Sequence, residues 1–119
     1  MKENPEYTKN LSALRTKITE PVDNLETFPA PKNITTVKFY TDELTSLCPI
    51  TGQPDFGKLT IEYEPNSLCL ESKSLKLYLW TFREEGHFCE ALASEIAEKI
   101  FKTLQPKWVK VINEQSKRG

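Results

Sequence analysis

Apolar and polar residues alternate in three short stretches of the chain, and this alternation predicts half-buried β-strands. In residues 58–63 the apolar side chains fall on one face and the polar ones on the other. Residues 33–41 and 108–112 show the same pattern with many β-branched and aromatic side chains, which favour strands. Residues 64–67 form the predicted turn after the second strand, because they combine proline, asparagine and serine.

Two stretches change to a helical period. Residues 72–82 place apolar side chains three to four positions apart, with Ser72 as the predicted N-cap. Residues 88–104 show a longer stripe, made by Leu92, Ile96, Ile100 and Leu104. The order strand, strand, helix, helix, strand predicts an α+β fold with two helices on one face of an antiparallel sheet. Because so small a sheet keeps exposed edges, we expect a homo-oligomer.

Composition narrows the class of protein. The chain has 119 residues, which predicts one domain over residues 25–119 after an extended arm at 1–24. Its net charge of -1 gives no reason to expect direct nucleic-acid binding, and no apolar run is long enough for a membrane span. Three cysteines and one histidine, without a secretion signal, predict neither a disulfide framework nor a metal site. We therefore expect a cytoplasmic protein.

The loop at residues 48–54 carries the first candidate chemistry. Cys48 lies among prolines and a glycine, and Asp55 follows the loop. A free cysteine is usually a small buried apolar side chain, and an aspartate after proline is usually a turn residue. A thiol presented by a rigid loop can instead be a nucleophile, with the carboxylate as its proton carrier. The residues alone leave both interpretations open.

The start of the first helix is a candidate anion site. Lys73 and Lys76 lie about one turn apart, and Ser72 and Ser74 can donate hydrogen bonds beside them. Most lysines at such positions form a solvated helix face. Helix N-termini also attract anions, so two ammonium groups there can bind a phosphate.

The start of the second helix is a candidate site for a planar heterocycle. Glu90 can accept hydrogen bonds from two adjacent N–H groups, and Phe88 can support the ring. The ordinary alternative is that Glu90 only complements the helix dipole.

These runs together resemble the QueF family, the NADPH-dependent 7-cyano-7-deazaguanine reductases of queuosine biosynthesis. Residues 71–78, Glu-Ser-Lys-Ser-Leu-Lys-Leu-Tyr, match the signature of that family at every position. The runs at 45–49, 51–56 and 81–83 have the family spacing, and the similarity extends from about residue 25 to Arg118. The resemblance implies the tunnelling fold, assembled into rings with active sites between subunits.

The resemblance also implies a mechanism. Cys48 attacks the nitrile carbon to form a covalent thioimide, and Asp55 supplies a proton to the nitrogen. NADPH then provides two successive hydrides, which convert the nitrile to an amine. Glu90 and Phe88 bind the deazapurine ring.

Further roles are implied for the signature helix and the end of the chain. Glu71 and Ser72 are implied to contact the substrate. Lys73, Ser74, Lys76 and Arg118 are implied to contact NADPH.

The chain departs from the family at two places. Cys89 replaces the histidine that usually precedes the glutamate, and a thiol is a poorer proton donor at neutral pH. The chain also ends at Arg118-Gly119, where family members continue into a closing strand. Two alternatives therefore stay open. One is a QueF-like amidinotransferase that converts tRNA-bound 7-cyano-7-deazaguanine to archaeosine without NADPH. The other is a protein that binds deazapurines without catalysis, although binding alone needs neither Cys48 nor Asp55.

Overall fold

A computed structural model describes residues 24–116, which form five strands, two α-helices and one 3-10 turn. In chain order the elements are β1 (Thr27–Pro29), β2 (Val37–Leu47), β3 (Pro54–Glu64), β4 (Leu68–Leu70), α1 (Ser72–Trp80), the 3-10 turn (Thr81–Glu84), α2 (Cys89–Leu104) and β5 (Trp108–Gln115). The predicted arm at 1–24 and the predicted cofactor residue Arg118 lie outside the described residues, apart from the exposed Asn24.

The strands form two antiparallel sheets. The main sheet has the order β2-β3-β5, so β3 is central. Strands β1 and β4 pair separately, with Phe28 opposite Cys69. The sequence did not predict this small sheet, because each of its strands has only three residues.

Both helices pack on the same face of the main sheet, which confirms the predicted α+β architecture. The core contains alternate residues of β3 together with the apolar stripes of both helices. Its main members are Leu59, Ile61, Tyr63, Leu75, Tyr78, Leu92, Ile96, Ile100 and Leu104. No helix within residues 24–116 has the length and apolar character needed to cross a bilayer.

The element boundaries differ from the predicted ones in instructive ways. Strand β2 begins four residues later than predicted and continues to Leu47, so the Cys48 loop follows the strand directly. The predicted helix at 72–82 is α-helical only to Trp80 and then tightens into the 3-10 turn. Strand β5 continues three residues past its predicted end.

The predicted N-cap Ser72 is wrong, because Glu71 caps α1. The carboxylate of Glu71 accepts hydrogen bonds from the backbone N–H groups of Lys73 at 2.8 Å and Ser74 at 2.7 Å. A side chain one position earlier than predicted therefore satisfies two of the free N–H groups at the helix start.

A bulge in β2 determines which side chains face the helices near the end of the strand. The pairing with β3 shifts register between Thr41 and Leu44. Before the shift, odd-numbered residues of β2 face the core side, and after it Leu44 and Ser46 are buried there. An extra residue in one strand exchanges its two faces in this way. Ser46 consequently pairs with Asp55 on the core side of the sheet.

Candidate active site

The loop that carries Cys48 is a closed turn between β2 and β3. The N–H of Cys48 donates to the carbonyl of Gln53 at 2.8 Å, and the N–H of Gly52 donates to the carbonyl of Cys48 at 2.9 Å. Gly52 has a φ of 73°, a left-handed conformation that glycine adopts without steric cost. The two backbone bonds fix the position of the sulfur-bearing residue relative to both strands.

The same loop is attached to the segment that leads into α2. The N–H of Leu47 donates to the carbonyl of Glu85 at 2.9 Å, and the N–H of His87 donates to the carbonyl of Leu47 at 3.0 Å. Gly86 lies between them, and a Cβ atom there would approach Cα of Pro49 to 3.3 Å. The absence of a side chain at Gly86 thus allows the two segments to lie in close contact.

The thiol of Cys48 is free, partly exposed and activated by its own turn. Hydrogen bonds from the Thr51 hydroxyl, and then from the backbone N–H groups of Thr51 and Ile50, lower the pKa of the Cys48 thiol below its ordinary value. Partial desolvation and the negative charge of Asp55 act in the opposite direction with smaller effect. The turn therefore favours the thiolate, the nucleophilic form of the side chain.

Thr51 is a functional candidate that the sequence reasoning missed. Its hydroxyl lies next to the backbone of the turn and also accepts from the N–H of Gln53 at 3.3 Å. The sequence does contain a signal for this role, namely a threonine three residues after the cysteine, because hydroxyl side chains in turns bond to groups two or three residues away.

Asp55 lies on the core side of β3 and is only 7% exposed. The β2 bulge brings its cross-strand neighbour Ser46 to the same buried face, so the strand end beside Cys48 is polar and enclosed. The charge of Asp55 raises the pKa values of both Cys48 and Cys89, although it is a minor cause for each. The structure thus places the predicted nucleophile and the predicted proton carrier within electrostatic reach of each other.

Cys89, the first residue of α2, turns its side chain toward β5. Its Sγ donates to the carbonyl of Asn113 at 3.5 Å, and it accepts a hydrogen bond from the backbone N–H of Gln115. Burial is the largest cause that raises the pKa of the Cys89 thiol, and the nearby Glu90 carboxylate adds to it. This thiol is therefore protonated at neutral pH, unlike a thiol poised for attack.

Glu90 and Phe88 are exposed at the start of α2. Phe88 is the N-cap residue and is 57% exposed, and Glu90 lies in the first turn. The N–H of His87 is bonded to Leu47, and three residues of chain, roughly 10 Å at most, separate Glu90 from His87. The predicted recognition residues are therefore exposed and joined to the Cys48 loop by a short segment of chain.

His87 does not take the place of the family's missing histidine. Its Nε2 lies 2.9 Å from a carboxylate oxygen of Glu85, and its ring meets the edge of Phe82 at a centroid distance of 5.3 Å. The ring is therefore held against the 3-10 turn.

The signature helix places its polar residues in two different environments. Glu71 and Ser74 are buried, and the Ser74 hydroxyl donates to the Glu71 carbonyl at 2.8 Å while it accepts from the N–H of Glu26 at 2.9 Å. Ser72 and Lys76 are exposed, and Lys73 is half-buried. The buried pair is engaged in holding the helix, so the geometry does not favour direct contact of Glu71 or Ser74 with a ligand.

A groove of about 640 Å³ runs between α1, the 3-10 turn and β2. Lys76, Trp80 and Arg83 line one side, and Leu47 and Pro54 line the other. Glu43 and Glu84 also border it. Because Leu47 precedes Cys48 and Pro54 precedes Asp55, the groove extends to the edge of the candidate site.

Comparisons with known proteins point to one family. A family model described as QueF-like protein matches residues 54–119. An NADPH-dependent 7-cyano-7-deazaguanine reductase from Anaeromyxobacter dehalogenans is 43% identical over 103 residues, covering 85% of this chain and 84% of that protein. A protein of the same name from Halorhodospira halophila is 45% identical over 103 residues, covering 85% of this chain and 87% of its own length.

A solved structure shares the fold. It is described as the archaeosine synthase QueF-Like in the apo form, and it is similar with a TM-score of 0.64 and 24% sequence identity. The match covers 71% of this chain and 94% of that chain. At this identity the likeness concerns the architecture, not the activity.

Proposed function

The chain belongs to the QueF family, and from this premise we propose that it is an oxidoreductase that reduces the nitrile of 7-cyano-7-deazaguanine to 7-aminomethyl-7-deazaguanine with NADPH. Relatives of 40–45% identity that carry the name of this reductase support the proposal. The observation that carries it is a half-exposed Cys48 with a lowered thiol pKa, enclosed by a turn beside the buried Asp55.

The first chemical step is covalent capture of the nitrile. The Cys48 thiolate forms a bond to the nitrile carbon, and one π-electron pair of the carbon–nitrogen bond moves to nitrogen. Asp55 acts in this step in its protonated form and donates its proton to that nitrogen, which leaves a neutral thioimide and a carboxylate. Burial of the carboxyl group at the strand end keeps competing water away from the proton transfer.

Recognition of the ring falls to the start of α2. Glu90 accepts from two adjacent N–H groups of the deazapurine, and the exposed ring of Phe88 packs against its face. Ser72 is exposed and remains a proposed substrate contact. Glu71 and Ser74 contribute indirectly, because they fix the helix that presents Ser72 and the lysines.

The residues of the groove fit NADPH, which supplies hydride when it is bound. Two cations, Lys76 and Arg83, lie on one wall and can pair with phosphate groups, and the indole of Trp80 offers an apolar surface, while the carboxylates of Glu43 and Glu84 border the same groove. Lys73 and Arg118 are further proposed contacts. The groove borders the residues before Cys48 and Asp55, so a cofactor there can reach the captured substrate.

We further propose that copies of the chain complete the tunnelling fold and share their active sites. Strands β2 and β5 are both open edges of the three-stranded sheet. The face of that sheet away from the helices exposes Tyr40, Phe56 and Ile112. Paired edges and a covered apolar face would both result from assembly of the chain into a ring. Multi-angle light scattering tests this proposal, and a monomer at micromolar concentration would contradict it.

One experiment tests the activity. The protein is mixed with 7-cyano-7-deazaguanine, and thioimide absorbance and NADPH oxidation are followed together. We expect both signals in the wild type, neither in Cys48→Ala, and both in the control Cys69→Ser, since Cys69 is buried outside the site. An adduct that persists in Cys48→Ala would overturn the assignment of the nucleophile. An adduct without NADPH oxidation, together with conversion of tRNA-bound substrate, would favour the amidinotransferase instead.

A further inference from the structure

We propose that Cys89 and Asn113 form an anchor that holds the first turn of α2 on β5 and thereby positions Glu90 for recognition of the substrate ring. The inference rests on the proposed function for the identity of the ligand. It assigns a positioning role to the thiol at residue 89 and to an asparagine on a strand with no proposed ligand contact.

Three hydrogen bonds join the start of α2 to β5. The Cys89 Sγ donates to the Asn113 carbonyl at 3.5 Å and accepts from the N–H of Gln115. In return the Asn113 Nδ2 donates to the carbonyl of Cys89 at 3.4 Å. These contacts compensate for a weak helix start, because the N-cap residue Phe88 provides no side-chain hydrogen bond to the first turn.

The Asn113 side chain is held in one orientation by its surroundings. Its Oδ1 is buried over Gly57, where an added Cβ would approach this oxygen to 2.7 Å. This oxygen has no hydrogen-bond partner among the described residues, so the orientation is selected by the bond from Nδ2, because a reversed amide would place Oδ1 against the Cys89 carbonyl. Glycine at residue 57 of the central strand therefore makes room for the anchor.

The anchor determines where Glu90 lies. Glu90 follows Cys89 directly, and the backbone bond that opens the helix, from the N–H of Leu92 to the carbonyl of Phe88 at 2.9 Å, closes around both residues. A helix start released from β5 would fray, and the carboxylate would lose its fixed direction. Since the Cys89 proton points at the Asn113 carbonyl, the thiol acts as an anchor and not as a proton donor to the substrate.

The test compares Cys89→Ala, Asn113→Ala and the double variant, with Glu114→Gln as the control on the exposed opposite side of β5. Affinity for 7-cyano-7-deazaguanine is measured by calorimetry in proteins that also carry Cys48→Ala, which prevents adduct formation. We expect each single variant to bind about tenfold more weakly, which corresponds to the net loss of one or two neutral hydrogen bonds. The double variant should bind more weakly than either single variant, because each side chain bonds to the main chain of the other residue and its hydrogen bond survives in the other single variant. Cys89→Ser should recover part of the affinity.

A second measurement separates positioning from chemistry. In proteins with Cys48 intact, the rate of thioimide formation at saturating substrate should change by less than about threefold. A saturated rate that collapses in Cys89→Ala with affinity unchanged would instead make the thiol a participant in the reaction. Wild-type affinity in both single variants would also overturn the anchor.

A third measurement does not depend on the ligand. Amide hydrogen exchange at Leu92 should accelerate in both single variants and not in Glu114→Gln, because the first turn opens when the anchor is lost. If the wild-type site does not bind the probe, the proposed function fails while exchange still decides whether the anchor exists. Unchanged exchange in both variants would refute it.

Discussion

Glu71 provides the sharpest test of how the signature helix works. The family resemblance implies that this residue contacts the substrate, whereas the structure places both carboxylate oxygens on backbone N–H groups of α1. The change that separates the two roles is Glu71→Ala, with Glu71→Gln as an intermediate and Ser72→Ala as the exposed neighbouring control. A cap affects the free energy of unfolding, and a pure substrate contact affects affinity alone.

The expected loss follows from the two hydrogen bonds. Removal of a side-chain N-cap costs about 1 kcal/mol and at most about 2 kcal/mol. Ser74 is only 1% exposed, so water does not easily replace the carboxylate at its N–H, and an unsatisfied buried group adds about 1–3 kcal/mol. We expect Glu71→Ala to lose about 2–3 kcal/mol, which lowers Tm by about 10 °C or more in a domain of this size. Glu71→Gln keeps one acceptor oxygen and should lose about half as much.

Urea unfolding followed by circular dichroism gives the free energies, and calorimetry on the folded variants gives their affinity for 7-cyano-7-deazaguanine. Ser72→Ala should stay within about 0.5 kcal/mol of the wild type. The reasoning is refuted if Glu71→Ala unfolds within about 0.5 kcal/mol of the wild type while its affinity collapses. It is also refuted if Ser72→Ala costs as much as Glu71→Ala, since Ser72 would then be the cap.

Three further predictions concern the turn and the central strand. Thr51→Val removes a hydrogen bond that lowers the pKa of the Cys48 thiol, so the pH profile of its alkylation by iodoacetamide should move to higher pH. An unmoved profile would show that the Thr51 hydroxyl does not lower this pKa. Gly57→Ala brings a Cβ to 2.7 Å from the Asn113 side chain and should lower the free energy of unfolding, measured in urea, by about 1–3 kcal/mol. An unchanged free energy of unfolding would show that the Asn113 side chain can move away from the added methyl group. Tyr63→Phe removes a buried acceptor 2.8 Å from a backbone N–H and should cost about 1–3 kcal/mol; wild-type stability would mean that the amide finds another partner.

The sequence predicted the elements that have a clear period. Strict alternation in residues 58–63 and the four-residue stripe of α2 each identify one buried face, and the structure buries those faces. The predicted strands ended at Thr41 and began at Lys58, so the pattern did not place Cys48 and Asp55 at the ends of neighbouring strands, where the structure has them. The short strands β1 and β4 have only three residues each, too few for a periodic signal.

The details that make the site reactive depend on non-local contacts. The bulge between Thr41 and Leu44 contains no proline or glycine from which it could be predicted, yet it determines which side chains of β2 lie on the same face as Asp55. The Cys89–Asn113 contact spans 24 positions, and only the packing of α2 against β5 brings the two residues together. The sequence also indicated the wrong N-cap for α1, because serine caps helices more often than glutamate does and Ser72 lies directly after Glu71.

The backbone connections around the loop explain how the site can keep its geometry while a side chain in it changes. The segment from Glu85 to His87 is bonded by main-chain groups to Leu47, and it continues directly into α2. The separation between the nucleophile and the recognition helix is therefore set by backbone hydrogen bonds, which do not depend on the residue at position 89. The Cys89 side chain uses the main-chain carbonyl of Asn113, and the Asn113 side chain uses the main-chain carbonyl of Cys89, so neither contact requires a particular side chain at the other position. The proposed recognition of the ring therefore requires the main chain of β5 beside the start of α2, more than a matched pair of side chains.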